Sequence, residues 1–321
     1  METILLTGAT GFVGRHMRPS LGKSGLSVRC ATRDLFGATS VTPNESWVRL
    51  DLEDPLTLEP AMRGVTAAFY LVHSMSEGPG YEARERAAAE AFRDAAARAG
   101  VERIIYLGGI EPLGHPSRHL ESRRMTGEIL RSGSVPVFEL HASMIIGEGS
   151  ISWKVVRDLA SRLPAMILPR WLQTRTEPIA IDDVVYALTQ VLTLPIELAG
   201  VWDLPGPEVL SCKEILLRVA ALRGIRTVTL DVPVLTPRLS SYWLKLVTGA
   251  DFPVARELVD GLSSDLISHG RSIWDELGEH EFLSFDEAVK RAHREDGETP
   301  AHPRRILERL VTHMSRHPKA A

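Results

Sequence analysis

Residues 3–14 read TILLTGATGFVG, and this stretch decides the fold. A short apolar run ends in a turn with glycines at positions 8, 11 and 14, and a segment with few helix-breaking residues follows from Arg15. Glycine lets the backbone approach an anion closely, and the first turn of a helix offers free N–H groups at the positive end of its dipole. Strand, glycine turn and helix in this order predict a phosphate cradle at the start of the chain.

Outward from this turn, apolar strands alternate with helices. The pattern predicts strands at residues 26–32, 47–50, 65–72, 103–107 and 136–140. The clearest helix is the alanine-rich segment 82–99, which Gly100 ends, and a second runs from Arg118 to Arg131. Apolar strands that are separated by helices are typical of a parallel sheet covered on both faces. The fold class is therefore predicted as α/β, with a doubly wound parallel sheet.

Beyond residue 150 the elements become smaller, and they predict a mainly helical lid on the substrate side of the sheet. We expect helices at 153–163, 213–223, around 238–247 and 253–264, and from 283, with strands at 201–206 and 227–232. The apolar stretch 163–172, with Trp153 and Trp171, is the expected pocket wall. The predicted division is a nucleotide-binding domain at 1–150 and 178–206, lid elements at 151–177 and 207–293, and a polar tail at 294–321.

Composition narrows the class of protein. The 321 residues carry a net charge of −4, which gives no basic surface for nucleic acid. Cys30 and Cys212 have no metal-like spacing and favour a reducing compartment. The chain enters its first strand at once and no apolar run approaches ~20 residues, so we expect no signal peptide, no membrane span and a cytoplasmic protein. The basic amphipathic helix at 304–314 is expected to dock on its own domain or on a homodimer partner, with membrane attachment the lesser alternative.

Three motifs together resemble a known family. They are TGATGFVG at 7–14, Asp51-Leu52 after the third strand, and IAIDDV at 179–184. They resemble extended and atypical short-chain dehydrogenases/reductases, above all the NmrA-like, NAD(P)H-binding branch, which is related to the nucleotide-binding accessory subunit of respiratory complex I. Segments 70–75 and 233–243 look typical of one bacterial subgroup of that branch. The resemblance covers residues 1–293 and implies a Rossmann fold with an NAD(P) cofactor.

The resemblance also implies where the cofactor lies. It places the pyrophosphate on the glycine turn, the adenine against Asp51 and Leu52, and the nicotinamide beyond strands four and five. The predicted cofactor-binding residues are Gly8, Thr10, Gly11, Phe12, Val13, Gly14, Arg15, Thr32, Arg33, Asp51, Leu52, Leu71, Val72, His73 and Ser74.

The residue that ends strand two selects between the two cofactors. A carboxylate there binds both ribose hydroxyls and repels a 2′-phosphate, whereas arginine favours the phosphate. The position is held by Arg33, with Thr32 before it, and Arg15 lies just past the turn. We therefore predict a preference for NADPH over NADH, with Arg15 and Arg33 converging on the phosphate. The alternative is that Arg33 is a solvated surface residue and Asp34 binds the ribose.

The sequence indicates the reaction less clearly than the cofactor, because it lacks the tyrosine–lysine pair that the wider superfamily uses for catalysis. The residues four positions after the five tyrosines are Ser74, Glu85, Ile110, Gln190 and Leu246. At the expected place, the start of the helix after strand five, stand His119 and Arg123, and glycines fill the stretch where the partner serine is usual.

His119 and Arg123 are accordingly the candidate catalytic residues. The ordinary pKa of histidine suits a proton donor near neutral pH, and activity would then fall as pH rises through it. The fixed charge of Arg123 can hold ribose or phosphate and lower the pKa of a neighbour. The alternatives are a plain helix-start histidine and an exposed arginine. No metal site is predicted, because no carboxylate or thiol completes a set from His115, His119 and His141.

Three functions are compatible with the sequence. The first is an NADPH-dependent reductase of an apolar, cyclic or quinone-like small molecule. The second is a catalytically silent NADP(H) sensor, which the absent tyrosine–lysine pair favours. The third is a structural or assembly subunit that retains its nucleotide for stability. We expect the first.

Overall fold

The computed structural model of the chain describes residues 2–73, 80–112, 114, 116–162, 165–225, 228–232 and 264–296. Its strands are β1 (Thr3–Leu6), β2 (Ser27–Thr32), β3 (Glu45–Arg49), β4 (Ala67–Tyr70), β5 (Arg103–Gly109), β6 (Val137–Ala142), β7 (Ile145–Ile146), β8 (Ala165–Pro169), β9 (Arg175–Thr176), β10 (Ile179–Ala180), β11 (Gly200–Leu204), β12 (Leu210–Ser211) and β13 (Val228–Val232). Its α-helices are α1 (Phe12–Lys23), α2 (Pro55–Met62), α3 (Tyr81–Ala99), α4 (Arg118–Arg131), α5 (Ile151–Arg162), α6 (Ile181–Gln190), α7 (Cys212–Leu222), α8 (Trp274–Leu277) and α9 (Phe285–Glu295).

Seven parallel strands form the main sheet in the order β11-β6-β5-β4-β1-β2-β3. The strand order reverses direction between β1 and β4, which is the point where open α/β sheets bind ligands beyond the carboxyl ends of their strands. All seven carboxyl ends lie at one edge because the strands are parallel. The predicted doubly wound parallel sheet is confirmed.

Helices cover both faces of this sheet. On one face, Met17 and Leu21 of α1 pack with Val184 and Leu188 of α6 against strand residues such as Phe69. On the other face, the core includes buried residues of α2, α3 and α4, among them Leu58, Phe92 and Leu130. Each large apolar side chain that is fully buried stabilises the fold by roughly 1.5–3 kcal/mol.

A third core lies under the lid and is built largely from α5, α7 and α9. Its buried members include Trp153, Leu159, Ile215, Val219 and Phe285. Helices α7 and α9 are well fixed at their starts, because Ser211 and Ser284 each form a capping box with a glutamate three residues on. The helical C-terminal region that the sequence predicts is present, and it has its own apolar interior.

Most predicted boundaries hold within two or three residues, and two differences bear on the site. Strand β5 runs on to Gly109, two residues beyond the predicted end, because Gly108 and Gly109 stay paired with His141 and Ala142 of β6. Residues 165–169 form strand β8, parallel to β13, where the sequence indicated an apolar segment broken by proline. Pro169 ends this strand and does not interrupt it.

Several predictions concern residues outside the described part of the chain. They are Ser74, His115, the helix at 238–247, residues 253–263 of the next helix and the C-terminal helix at 304–314.

Candidate nucleotide and substrate site

The glycine turn is held tightly against the end of β4. Gly8 has a φ of +64°, and a Cβ there would lie 2.4 Å from the carbonyl oxygen of Leu71. A Cβ on Gly14 would lie 2.2 Å from the carbonyl oxygen of Gly8. The Thr7 hydroxyl donates to the Phe69 carbonyl oxygen at 2.7 Å and accepts from the Leu71 N–H at 3.1 Å. The packing of the turn itself therefore requires Gly8 and Gly14.

Gly11 has a different role, because it faces open space. It is the N-cap of α1, with φ −75° and ψ 178°, a conformation that any residue adopts. A Cβ on Gly11 would approach the Gly8 carbonyl oxygen at 3.1 Å and no other described atom within 4 Å. Within the described residues no side chain caps α1, and its first turn contains no acid. The free N–H groups and the space beside Gly11 fit the pyrophosphate of a dinucleotide.

A cavity of about 540 Å³ extends from this turn, past the ends of β4, β5 and β6, to the lid. Gly8, Gly11, Phe12, Val13 and Gly14 line one end of it. Described residues of the lid line the other end, and most of them are aliphatic: Val156, Leu159, Leu172, Ile215, Leu216 and Leu266. The cavity therefore joins a backbone-built end to an apolar end.

The structure brings most of the predicted site residues together. Besides the turn, the lining includes Leu71, His73, His119 and Arg123. Val72 lies between Leu71 and His73, and Thr10 is exposed on the turn. Four predicted residues lie apart from the cavity, at the carboxyl ends of β2 and β3: Thr32, Arg33, Asp51 and Leu52.

The predicted convergence of Arg15 and Arg33 on a phosphate stays a prediction, and the structure places Arg15 beside another loop. The Nη2 atom of Arg15 lies 3.6 Å from a carboxylate oxygen of Glu148, which follows β6 and β7 in the chain. Strand β2, which precedes Arg33, lies on the other side of β1 from β6. In the same loop, Oδ1 of Asp34 accepts a hydrogen bond from the Phe36 N–H at 2.9 Å, so this carboxylate stabilises its own turn. This leaves Arg33 and Thr32 as the candidate phosphate contacts.

His119 and Arg123 lie on the cavity wall near the start of α4. The Nη2 atom of Arg123 donates to the Leu107 carbonyl oxygen at 2.7 Å. Burial, and then the charge of Arg123, lower the pKa of His119 from 6.5 to about 3. Burial is also the main cause that lowers the pKa of His73, with Arg123 next. Both imidazoles are therefore neutral at pH 7, which disfavours the protonated donor that the sequence suggested for His119. The catalytic roles of His119 and Arg123 stay a prediction.

The described tyrosines nearest the cavity are structural. Burial raises the pKa of Tyr70 and of Tyr106 far above the ordinary value, so neither is a ready proton donor. The Tyr106 hydroxyl donates to the backbone oxygen of Arg123 at 3.0 Å and fixes that turn of α4. A Cβ on Gly108 would lie 2.8 Å from Cδ2 of His141, so the imidazole of His141 closes the place where a serine is usual.

Several polar residues that line the cavity were not predicted from the sequence. Ser143, Ser150 and Thr176 all line it, and the first two donate their hydroxyls to nearby backbone carbonyl oxygens. Ser143 directly follows β6, so the rule that parallel sheets bind ligands at their carboxyl ends gave a usable signal. Thr176 lies in a strand of two residues, and nothing in its sequence context marks it. Trp153, expected in the pocket wall, is instead buried in the lid core.

The described residues also bear on a metal site, on the cysteine in the cavity and on a membrane span. No group of three or more histidine, cysteine or acidic side chains there is arranged to hold a metal ion. Cys212 lines the cavity, but burial raises the pKa of its thiol to about 11, so it is not a thiolate at neutral pH. Among the described helices, none has the length and apolar character that a bilayer crossing requires.

Comparison with known proteins relates the segment that carries the glycine turn to a described family. Residues 8–157 match a family model described as NAD(P)H-binding, and the match begins at the first glycine of the turn. The chain contains an NAD(P)H-binding domain. The matched segment includes the glycine turn, His73, His119 and Arg123, and it ends within α5.

Solved structures with the same fold as the NAD(P)H-binding domain and its lid share little sequence with this chain. A nucleoside-diphosphate-sugar epimerase of Staphylococcus aureus has a TM-score of 0.71 at 15% identity, over 90% of this chain and 100% of that one. Triphenylmethane reductase of Citrobacter sp. has a TM-score of 0.72 at 18% identity, over 91% and 99%. Its complex with NADP(H) has a TM-score of 0.69 at 16% identity, over 90% and 99%.

One curated relative matches over a short segment. CDP-abequose synthase of Salmonella typhimurium strain LT2 is 35% identical over 69 residues, which are 20% of this chain. The match spans 23% of the synthase, less than a quarter of its length. The family match and these structures support the resemblance to NAD(P)-binding proteins of the short-chain dehydrogenase/reductase type.

Proposed function

We propose that this protein is an NADPH-dependent reductase of an apolar small molecule, of the atypical short-chain dehydrogenase/reductase type. The observation that carries the proposal is the continuous cavity from the glycine turn to the lid. A dinucleotide whose pyrophosphate lies on α1 directs its nicotinamide toward His73, and the lid end leaves space for a second molecule. When bound, the reduced nicotinamide supplies a hydride, and the lid residues hold the acceptor.

The lining of the lid end favours an apolar acceptor over a nucleotide sugar. A sugar diphosphate needs cationic or hydrogen-bonding partners for its two phosphates. The described residues at the lid end offer mostly aliphatic side chains, with Ser152, Thr176 and Cys212 among them, and none of them is charged. Burying an apolar ligand there is favourable by about 25 cal/mol for each Å² removed from water. Likeness to triphenylmethane reductase is thus more informative here than likeness to the epimerase.

NADPH is the proposed cofactor because of the end of β2. Arg33 is exposed immediately after that strand, and Thr32 precedes it. A guanidinium group binds a phosphate through two parallel hydrogen bonds, which a ribose hydroxyl does not match. The Asp34 carboxylate already accepts a hydrogen bond within its own turn, which weakens the alternative that it binds the ribose of NADH.

The proton that completes a reduction is proposed to come from water. His119 is neutral at pH 7 because of its lowered pKa, so it can orient a ligand but supplies no readily released proton. The guanidinium of Arg123 can stabilise negative charge that develops beside it. We accordingly expect His119→Ala to lower kcat less than the 10²–10⁴-fold that is typical of losing a general acid.

The proposal is tested by following NADPH oxidation against a panel of apolar enones, quinones and cyclic ketones, with UDP-glucose as the polar comparison. We expect turnover with members of the apolar panel. Leu266→Trp narrows the lid end and should raise KM without changing the Kd for NADPH, whereas the exposed Leu56→Trp should change neither. Turnover with UDP-glucose alone would contradict the proposal.

A second candidate is a non-catalytic NADP(H) sensor or a structural subunit, as the missing tyrosine–lysine pair suggests. The two neutral histidines are compatible with it. It predicts no turnover with any acceptor, together with either nucleotide-dependent affinity for a protein partner or a nucleotide that does not exchange. The open lid end favours the reductase, because a silent module has no need of that space.

The homodimer and the cytoplasmic location also remain proposals. The C-terminal helix that would form the dimer lies outside the described residues, and sedimentation of the full chain tests it. Two free, buried cysteines favour a reducing compartment.

A further inference from the structure

Arg123 is the one charged side chain among the described residues that line the cavity, apart from histidines. It is fixed at both ends. Its backbone oxygen accepts from the Tyr106 hydroxyl at 3.0 Å, and its Nη2 atom donates to the Leu107 carbonyl oxygen at 2.7 Å. Its Nε atom is buried and has no hydrogen-bond partner in the described structure. A Cβ on Gly109 would lie 3.5 Å from that Nε atom, so Nε faces the backbone of Gly109 and no side chain of residue 109 partners it.

The charge of Arg123 is not neutralised within the described lining. No carboxylate lines the described cavity, and the ionisable neighbours of Arg123 there are His73 and His119, whose lowered pKa values keep them neutral. Nδ1 of His119 is also buried without a partner in the described part of the chain. Arg123 is half-buried, and charges that are shielded from water are normally paired, because desolvation without a partner is unfavourable. Arg123 thus has no counter-charge in the described lining, and it lies beside the unpartnered Nδ1 atom of His119. This arrangement implies a ligand that supplies the missing partner.

We propose that Arg123 and His119 form an oxyanion subsite, and that the substrate is a conjugated carbonyl compound whose oxygen becomes anionic on reduction. This inference rests on the proposed reductase function. With a reduced nicotinamide as hydride donor, its C4–H bond would break as a C–H bond forms at the acceptor carbon, and the displaced π electrons would move through the conjugated system to the carbonyl oxygen. The reduced nicotinamide is oxidised, and water protonates the product after release. An enolate or phenolate is a much weaker base than an alkoxide, so a site without a proton donor handles it more readily.

A different occupant of the same groups is the ribose of the nucleotide, since Arg123 stands where the superfamily has its ribose-binding lysine. The two assignments differ in what Arg123 recognises. A ribose contact affects nucleotide affinity, whereas an oxyanion subsite affects the affinity of a second, anionic ligand once the nucleotide is bound.

The test uses protein saturated with NADP⁺ and two probes of similar shape, 2-naphthoate and 2-naphthamide, titrated by calorimetry. The carboxylate mimics the anion and the amide does not. We expect naphthoate to bind the wild-type complex at least about tenfold more tightly than naphthamide, the ratio typical of a charge-assisted hydrogen bond. Arg123→Met should reduce this ratio to about one. Arg124→Met is the matched control, because Arg124 pairs with Glu121 and Glu128 and does not line the cavity.

Equal affinities of the two probes for the wild type would overturn the inference, whatever the variants do. So would a ratio that survives Arg123→Met, or a variant that loses NADP⁺ affinity while the ratio stays. If the ratio behaves as expected but no acceptor is ever reduced, the proposed reductase function fails and the oxyanion subsite stands.

Discussion

The two ends of the cavity are built from different parts of the chain. The glycine end is built largely from backbone atoms, and an added side chain at Gly8, Gly11 or Gly14 would fill its space or strike that backbone. At the lid end the contacts are aliphatic side chains from separate elements, such as Leu159 of α5 and Leu216 of α7. A backbone site recognises a group common to all dinucleotides, whereas a side-chain wall decides which acceptor fits. The structure therefore indicates the class of cofactor more directly than it indicates the substrate.

The glycine end should be the more sensitive to a single added side chain. Gly11→Val places atoms in the space beside the first turn of α1, and the conformation of residue 11 accepts valine. We expect nucleotide-induced thermal stabilisation to be lost while the unliganded protein stays folded. Gly64→Ala is the control, since Gly64 has a φ of +71° and no neighbour within 4 Å of an added Cβ. It should cost roughly 1 kcal/mol of strain and leave nucleotide binding intact. Unchanged stabilisation of Gly11→Val by nucleotide would mean that the phosphates lie elsewhere.

A cavity-creating change at the lid end should have the opposite profile. Leu216 is 5% exposed and belongs to the lid core, so Leu216→Ala should lower the free energy of unfolding by about 2–5 kcal/mol. The Kd for NADPH should stay within about twofold, because the turn is untouched. The exposed Leu56→Ala should change stability by less than about 0.5 kcal/mol. Denaturant unfolding and NADPH fluorescence give both quantities, and a parallel loss of NADPH affinity in Leu216→Ala would show that the two ends are not separable.

The selectivity between cofactors should depend on a residue outside the cavity. If Arg33 binds the 2′-phosphate, NADPH should bind about ten- to a hundredfold more tightly than NADH, which corresponds to about 1.5–3 kcal/mol. Arg33→Asp should reverse or abolish this preference. Arg63→Asp is the matched control, since Arg63 follows α2 at the opposite edge of the sheet. Equal affinities of the two nucleotides for the wild type would show that Arg33 does not select NADPH over NADH.

The histidines between the two ends should make the fold sensitive to acid. The folded-state pKa of His119 is lowered, so the unfolded chain binds more protons below pH 6.5 and stability rises with pH between about 3 and 6.5. Acidification from pH 6.5 to pH 5 should therefore cost about 2 kcal/mol through His119, with a loss in the same direction from His73. His119→Gln should make the unfolding free energy less dependent on pH in this window. An unchanged slope would mean that the pKa of His119 is not lowered in the folded protein.

The sequence predicted the glycine end well for a physical reason. The strand–turn–helix pattern is local, and the needs of Gly8 and Gly14 arise from atoms of the turn and of β4. The bounds of α3 and α4 were also predictable, because Gly100 ends the first in a left-handed conformation and Ser117 caps the second.

The remainder depends on contacts between distant segments. The pairing of Arg15 with Glu148 joins the first turn of α1 to a loop far away in the chain, and no local pattern predicts it. The lowered pKa of His119 depends on burial, which spacing along the chain does not reveal. For the same reason Thr176 was missed and Trp153 was placed in the wrong wall.

The central claim is that a nucleotide on the glycine turn leaves the lid end open for an acceptor. A crystal structure of the protein with NADP⁺ tests it most directly. We expect the pyrophosphate within hydrogen-bond distance of the first N–H groups of α1, and an open space between C4 of the nicotinamide and Leu216. A nicotinamide that fills the space up to Leu216, or a pyrophosphate bound away from Gly11, would contradict it.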